Sequence, residues 1–532
     1  METSCRYIDY EQTGMFSRLI SDYLQGESFI NGFSAHQPDV EGVKSAIAAR
    51  KLFETDRKLI QAAFEESYET ENPSARQSSN MVLLSSENTF TICTAHQPNI
   101  FTGYLYFIYK TAHTIALSRK LKAELPQYDF VPVFYIGSED NDLDELSKFR
   151  INGKAFRWET SQTGAVGRMQ ADKGVAELIN VIEAELGHLP QALKLITLLK
   201  KAYGNGRTMA EGIFTLLNSL FREEGLLVLQ PDKASLKQAY RKVMREDLLD
   251  QVADKIVGET GKRLETRYKL QVNSRPVNLF YLRDGIRNRI DKRGNQYAVD
   301  GTVIRFSEAE ILAELETNPE RFSPNVILRG LYQETILPNI IFVGGGSEVA
   351  YWMQLKDLFD HYQTPFPVLV LRNSFTIMDA NLAHKMNELE ISDADLFKEE
   401  TILANEMVQR WSGSNINLQN EEKDSRLLFA QLKKRAGDVD KTLTQHVHAL
   451  EIFHLKKLES LEKKMLKAER KKQATGLQRI WKLREDLFPN HNLQERVENF
   501  MPYYARYGQD FIGAILNHSL ALEHKFGMLI IA

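Results

Sequence analysis

Residues 130–137 read FVPVFYIG and are followed at once by Ser138-Glu139-Asp140-Asn141-Asp142-Leu143-Asp144-Glu145. An apolar run ending in a polar loop is what a strand covered on both faces of a parallel sheet requires. Upstream, Thr91–Ala95 (TICTA) is a short β-branched run that passes into His96-Gln97-Pro98-Asn99 and then Thr102-Gly103. A helix-length segment continues from Leu105 to about Leu121, and Pro98 and Gly103 punctuate the turn before it. Strand, helix and strand within about 50 residues form a βαβ unit. Downstream, Leu226–Leu229 (LLVL) is a further short strand. Asn339–Val343 (NIIFV) leads into Gly344-Gly345-Gly346-Ser347 with a helix opening at Glu348, and Pro367–Leu371 (PVLVL) leads into Arg372-Asn373-Ser374. The pieces between differ in kind. Residues 148–205 begin β-like near Phe149–Trp158 and turn helical, and 232–270 are helical. Residues 271–310 alternate (Val277, Leu279, Tyr281; Tyr297, Val299), as a small antiparallel insertion would. The fold class is therefore α/β, a parallel-sheet core interrupted by insertions.

The ends are helical in this reading. Residues 1–90 are mostly helical, with a polar loop at 71–80. An arm begins near 381, and Asp440 is the expected N-cap of one long helix with a single glycine, Gly476, before Pro489. Such a helix is about 70 Å long at 1.5 Å per residue. Its seam of Leu443, Val447, Leu450, His454, Leu458, Leu461 and Met465 steps by fours and threes, a coiled-coil spacing with one stutter. A second helix at 423–437 (Leu427, Leu428, Leu432) is expected to pack on it, and Asn492 with Glu495 reads as a capping box. The expected division is 1–150 (helical segment and first part of the core), 151–335 (remaining core strand with insertions), 336–380 (last part of the core), 381–490 (coiled-coil arm) and 491–532 (C-terminal helical segment returning to the core).

Composition narrows the class. Of 532 residues 43% are apolar and 26% charged, as in ordinary globular proteins, and the formal net charge is −4. The whole chain is thus not tuned for nucleic acid or membrane. The start lacks an apolar signal core, no run of 18 apolar residues appears, and the two cysteines, Cys5 and Cys93, suggest neither a disulfide framework nor a metal site. A reducing cytoplasm is the expected address. Local basicity is confined to residues 455–485, where 11 Lys/Arg face four Glu, a net of +7. A solvated coiled-coil face is the commoner meaning of such a run; anion binding is the other. No Ser-His-Asp elbow, zinc signature or HExxH is present, and no metal ligands are assigned.

Three loops at strand ends could carry chemistry, because open α/β sheets bind ligands there. His96, Gln97, Thr102 and Gly103 open a helix, whose free N–H groups favour phosphate or carboxylate. A second His-Gln-Pro at 36–38 lacks a preceding strand and reads as coincidence. The carboxylates Glu139, Asp140 and Asp142 suit a substrate ammonium or hydrated Mg²⁺, although acids also favour a helix start. Gly344, Gly345 and Gly346 allow close backbone approach and an anion nest, with Glu348, Tyr351, Trp352 and Arg372 beside them. The loop is neither a P-loop nor GxGxxG.

Four blocks taken together resemble a known family: TAHQPNIFTGYLYFIYK (94–110), VPVFYIGSEDNDLDEL (131–146), LPNIIFVGGGSEVAYWMQLK (337–356) and NLQERVENFMPYYARYGQDFI (492–512). Their order and spacing resemble the BshC family, the cysteine ligase of bacillithiol biosynthesis. That resemblance implies a Rossmann-like parallel-sheet core with connecting-peptide insertions, similar to class I aminoacyl-tRNA synthetases, plus an α-helical coiled-coil domain that forms a homodimer. It implies addition of cysteine to the amine of glucosaminyl-malate, with ATP and Mg²⁺ activating the cysteine carboxylate. Gln97, Thr102 and Gly103 would then cradle one substrate, with His96 near phosphate. Glu139, Asp140 and Asp142 would hold an ammonium or take the amine's proton. The glycine loop and Glu348 would line the opposite wall, and Arg506 would meet the malate carboxylates. Two other readings stay open: another nucleotidyl or acyl transferase on the same fold, and a dimeric coiled-coil binding protein.

Overall fold

A computed structural model describes residues 1–204, 206–412 and 416–532. Five strands form the parallel core sheet: β1 (Thr89–His96), β2 (Asp129–Ile136), β3 (Leu227–Leu229), β4 (Asn339–Gly344) and β5 (Val368–Leu371). Their spatial order is β5-β4-β1-β2-β3, and every neighbouring pair runs parallel. The chain builds outward from β1 through β2 to β3, then returns to the other side of β1 for β4 and β5. This is the Rossmann order, and its switch point lies between β1 and β4.

Each strand forms because its residues can be buried on both faces. All eight residues of β2 except Asp129 are buried, as are all six of β4 and all four of β5. Helix α1 (Leu105–Glu124) crosses from β1 to β2 and packs Leu117 and Leu121 with Phe90, Ile92 and Phe130. On the same core lie Val43 and Ile47 of the helix Val40–Lys51. That helix is pinned by Arg50, whose guanidinium donates to the Glu334 carboxylate at 2.7 Å and to its carbonyl at 2.8 Å. Both side chains are almost wholly buried.

The crossovers after β2 and β3 are long. The first carries the helices Lys173–Leu186, Ala192–Tyr203 and Met209–Phe221, after a short one at Leu143–Leu146. The second carries a five-stranded antiparallel sheet built from Leu279–Arg283, Ile286–Arg293, Gln296–Val299, Arg305–Ser307 and Phe322–Pro324. The alternation seen over 271–310 is this sheet.

The terminal regions hold helices, among them Val40–Lys51, Arg57–Tyr68, Met501–Tyr507 and Gln509–His518, and also two strands outside the helical reading. Thr3–Asp9 is a strand, and the C-terminal region ends in another, Lys525–Ile531, the two pairing antiparallel from Thr3↔Ile531 to Asp9↔Lys525. Neither helical periodicity nor helix length is available to the short run KFGMLII, and a partner strand supplies its hydrogen bonds. The expected capping box at Asn492 and Glu495 does not form. Glu495 is instead fully buried against Arg372, whose two terminal nitrogens reach it at 3.0 and 2.7 Å.

Residues 379–491 form a separate helical unit. Its expected single helix is two, Leu443–Lys472 and Ala474–Leu487, broken at Gln473. Asp440 accepts from the Thr442 N–H at 2.8 Å, just ahead of the first. The preceding helix, Gln419–Val439, is longer than the 423–437 expected, and it packs along Leu443–Lys472. Ser425–His454 (3.1 Å) and the Lys433–Glu451 ion pair tie the two. Among the described residues no helix is long and apolar enough to cross a membrane.

Removing one partner of a buried ion pair strands the other charge. Glu334→Ala is therefore expected to lower unfolding free energy by about 3–5 kcal/mol, measured by urea titration. A change within about 0.5 kcal/mol, as at a neutral surface site, would remove the pair from the core's support.

Candidate functional site

At the carboxyl ends of β1, β2 and β4 lies a cleft of about 390 Å³. Nine expected site residues line it: His96, Gln97, Glu139, Asp140, Gly345, Gly346, Glu348, Tyr351 and Arg372. The first wall is the end of β1. His96 packs edge-on against Tyr106 and Phe107, with ring centroids 5.3 and 5.4 Å away. Its Nε2 is shielded from solvent and has no hydrogen-bond partner among the described residues. Burial, then the nearby Lys110 charge, pushes its pKa down to about 3, so the imidazole is neutral. Gln97 donates from Nε2 to Asp140 at 2.9 Å and so ties the β1 loop to the β2 loop.

The second wall is the loop after β2. Asp140 is half-buried; its other carboxylate oxygen accepts the Asp142 N–H at 3.0 Å. Glu139 is buried between the Lys237 ammonium and the Ser323 hydroxyl. Burial raises its pKa, with Lys237 opposing. The loop is held down by the 165–167 segment, where Val166 and Gly167 donate to the carbonyls of Asp140 (2.7 Å) and Ser138 (2.9 Å). A Cβ on Gly167 would stand 2.3 Å from the Ser138 oxygen, so only glycine permits this approach.

The third wall is the glycine loop. An anion nest is expected there, but the protein's own carboxylate partly fills it: Glu348 accepts the Gly345 N–H at 2.8 Å. Glu348 also binds the buried Lys110 ammonium at 2.8 Å, and Lys110 reaches the Ala95 carbonyl at 2.6 Å. Burial opposes the Glu348 charge, but Lys110 outweighs it and holds the carboxyl below its usual range. Gly346 and Ser347 open the helix Gly346–Met353, whose first-turn N–H groups lack helical acceptors.

Six expected site residues do not line the cleft. Asp142 is exposed and caps a short helical turn by accepting the Glu145 N–H at 3.1 Å. Thr102 and Gly103 form the turn beneath, at φ of 68° and 66°; Asn499 pins it by donating to the Gly103 carbonyl at 2.7 Å. Gly344 ends β4, and a Cβ there would meet the Phe342 ring at 2.8 Å. Trp352 is fully buried and stacks on Phe342 at 4.4 Å, a packing role. Arg506 is exposed beside Tyr507, away from the cleft; a position in a similar block did not fix which arginine faces inward.

The arginines that do line the cleft are Arg287, Arg329, Arg372 and Arg496. Glu495 neutralises Arg372 through two hydrogen bonds. The others bind neutral groups where they bind at all: Arg287 donates to Asn141 (2.9 Å) and Ser323 (3.1 Å), and Arg329 to the Tyr351 hydroxyl. Among the described residues none of these three has a carboxylate within ion-pair distance. Arg287, Arg329 and Lys237 carried no local signal, since each sits in an insertion or inside a helix; Lys110 and Arg496 fall in the blocks quoted above, where their spacing does not mark them. The cleft can therefore take a ligand with both negative charge, at the arginines, and a cationic or hydrogen-bond-donating group, at Asp140.

Comparison with known proteins places the chain. The model for "Bacillithiol biosynthesis BshC, N-terminal Rossmann-like domain" matches residues 1–373, and that for the "C-terminal coiled-coil domain" matches residues 375–531. Proteins named "Putative cysteine ligase BshC" are similar over nearly their full length. That of Flavobacterium johnsoniae is 39% identical over 100% of both chains. Those of Flavobacterium psychrophilum and Christiangramia forsetii are 37% and 36% identical over 99% of both chains. The chain belongs to the BshC family: a Rossmann-like domain followed by a coiled-coil domain.

With its pKa pushed to about 3, His96 stays neutral from pH 5 to 8. Nitrogen-15 spectra of labelled imidazoles, assigned by His96→Gln, are expected to show no His96 titration in that range. A midpoint near the ordinary value of about 6.5 would refute the neutral assignment.

Proposed function

We propose that this member of the BshC family is a carbon–nitrogen ligase that joins cysteine to the amine of glucosaminyl-malate, the last step of bacillithiol biosynthesis. One observation carries the reading: at the β1/β4 switch point a single cleft presents a half-exposed carboxylate, Asp140, together with three arginines, Arg287, Arg329 and Arg496, that form no ion pair among the described residues. The arginines suit the malate carboxylates, and Asp140 suits the sugar's ammonium. Amide formation needs a deprotonated amine. Asp140 is the freer carboxylate, because Lys237 and Ser323 already engage Glu139, and it would take the proton as the amine attacks.

A carboxylate is a poor acylating agent, so the cysteine must be activated; ATP with Mg²⁺ would supply that chemistry. The helix start at Gly346–Ser347 and the Arg329 guanidinium fit phosphate oxygens. The neutral His96 adds a hydrogen-bonding nitrogen without charge. The remaining contribution of the protein is positioning, which accounts for the number of ties between the three loops.

The arm is proposed to pair two copies. On its helices Leu427, Leu428, Leu450, Phe453 and Leu461 are all exposed, more apolar surface than a solvated helix needs. The cytoplasm is the proposed location, where the buried thiol of Cys93 would stay reduced.

Calorimetry with ATP–Mg²⁺, then cysteine and glucosaminyl-malate, with product followed by mass, tests the ligase reading. A cysteine adduct is expected. Nucleotide binding with a different acceptor amine would point to another transferase, and neither binding nor product to a binding protein. Asp140→Ala is expected to lower kcat/KM by about 10²–10⁴ while leaving the unfolding curve in place; retained activity would remove Asp140 from the mechanism. Equilibrium sedimentation is expected to give twice the 61.1 kDa chain mass, reduced to a single mass by Leu450→Glu with Phe453→Glu. A single mass in the unaltered protein would refute pairing.

A further inference from the structure

Lys237, in the short helix Ala234–Gln238 after β3, has a side chain with no exposure at all. Its ammonium meets three acceptors: the Glu139 carboxylate, Asp232 Oδ1 at 3.3 Å and the Glu320 carbonyl at 3.2 Å. An ammonium has three hydrogens, so each has an acceptor. The acceptors come from three separate segments: the exit of β2, the exit of β3, and the turn Pro319–Arg321 that leads into the antiparallel sheet. Only Glu139 among them lines the cleft.

The surrounding charges decide where the lysine's charge acts. Asp232 is gripped on both oxygens by Arg168, from Nε at 2.7 Å and Nη2 at 2.8 Å. Burial works against the Asp232 charge, yet Lys237 and Arg168 outweigh it and hold that carboxyl below its usual range. With Asp232 matched by Arg168, Lys237 is left as the counter-charge of Glu139. The second Glu139 oxygen accepts from Ser323 at 3.2 Å, and Ser323 is itself held by Arg287 at 3.1 Å. The ionisable groups facing Glu139 are thus Lys237, Asp232, Arg287 and Arg168, with the phenols of Tyr135 and Tyr332.

We propose that Lys237 is a positioning residue of the cleft: it fixes the Glu139 carboxylate in one orientation at the cavity wall and keeps it ionised, beside Asp140. The role rests on the ligase reading, because there the ionised Glu139 supports a proton-accepting Asp140 and the incoming ammonium. Without the lysine, the buried carboxylate loses its one ion-pair partner among the described residues, keeps only the charges of Arg287 and Arg168 beyond contact, still faces Asp232, and takes up a proton instead. The cleft then loses one negative charge at neutral pH and regains it only in alkali.

Lys237→Met, Glu139→Gln and the double variant, each in the full chain, test this through kcat/KM between pH 5 and 9 and through urea unfolding. Lys237→Met is expected to move the acid limb of kcat/KM upward by at least one pH unit, giving a loss of tenfold or more at pH 7 that shrinks at pH 9. The double variant is expected to follow the Glu139→Gln profile and to be more stable than Lys237→Met alone. Lys237→Arg, which keeps the charge, is expected to restore the acid limb in part. A drop uniform across pH, with the limb unmoved, would show a merely structural lysine. If Lys237→Met does not fold, rescue of folding by Glu139→Gln supports the pair, and failure of rescue overturns it. A wild type that makes no product overturns the ligase reading instead. The unfolding cycle then decides Lys237 by itself: rescue by Glu139→Gln upholds the pair, and additive losses refute it.

Discussion

The parallel pairing of β1 with β4 is the constraint on which the rest depends. The strands lie some 250 positions apart in the chain, yet their register is fixed by side chains as well as backbone. Thr91 and Asn339 meet at 3.1 Å through their side chains, and Thr94 donates to the Val343 carbonyl at 2.8 Å. Once these two strands are neighbours, the His96 loop and the glycine loop must open side by side. The chain also leaves them in opposite directions across the sheet, which opens the crevice between their exits. Both strands are buried on both faces, so burial alone does not choose between registers one residue apart; the two side-chain bonds do.

Around that crevice the charges are sorted by pairing. The deep lysines each face a carboxylate, Lys110 with Glu348 and Lys237 with Glu139, and the buried Arg372 faces Glu495. Each pair brings loops from different strands to one place, and each is satisfied within the protein. The groups left for a ligand stand in no ion pair among the described residues: the half-buried Asp140 and Arg329, the buried Arg287 and the exposed Arg496. A buried pair is a weak source of stability but a strong source of specificity in where its partners sit. Here that division separates the framework of the cleft from the part free to bind.

The core strands were legible because burial on both faces writes continuous apolar runs, as in FVPVFYIG and NIIFV. The loops that follow them were legible because the sheet's geometry makes its carboxyl edge a binding edge. The individual roles were less so. Thr102, Gly103 and Gly344 stand in the right loops but serve the backbone of the turn, which sequence position does not distinguish from ligand contact. Glu495 has the spacing of a capping box, but a guanidinium more than 120 positions upstream takes its carboxylate. Arg287 and Arg329 reach the cleft, and Lys237 reaches Glu139 behind its wall, only through the tertiary path of the chain, and no local pattern marks them. The terminal strands escape the helical reading for the same reason: each is decided by the partner that pairs with it.

The pairing of Thr3–Asp9 with Lys525–Ile531 also sets a timetable. At a ribosomal pace of about 5–20 residues per second, the first strand waits roughly half a minute to two minutes for its partner to be made. Throughout that interval it is an unpaired edge, the kind of segment that joins the wrong neighbour. Its sequence, TSCRYID, is suited to waiting: it mixes Arg6 and Asp9 with its apolar residues, and none of its seven positions is fully buried even in the finished fold. The apolar half of the pair, KFGMLII, is the half that emerges last and finds the first strand already present.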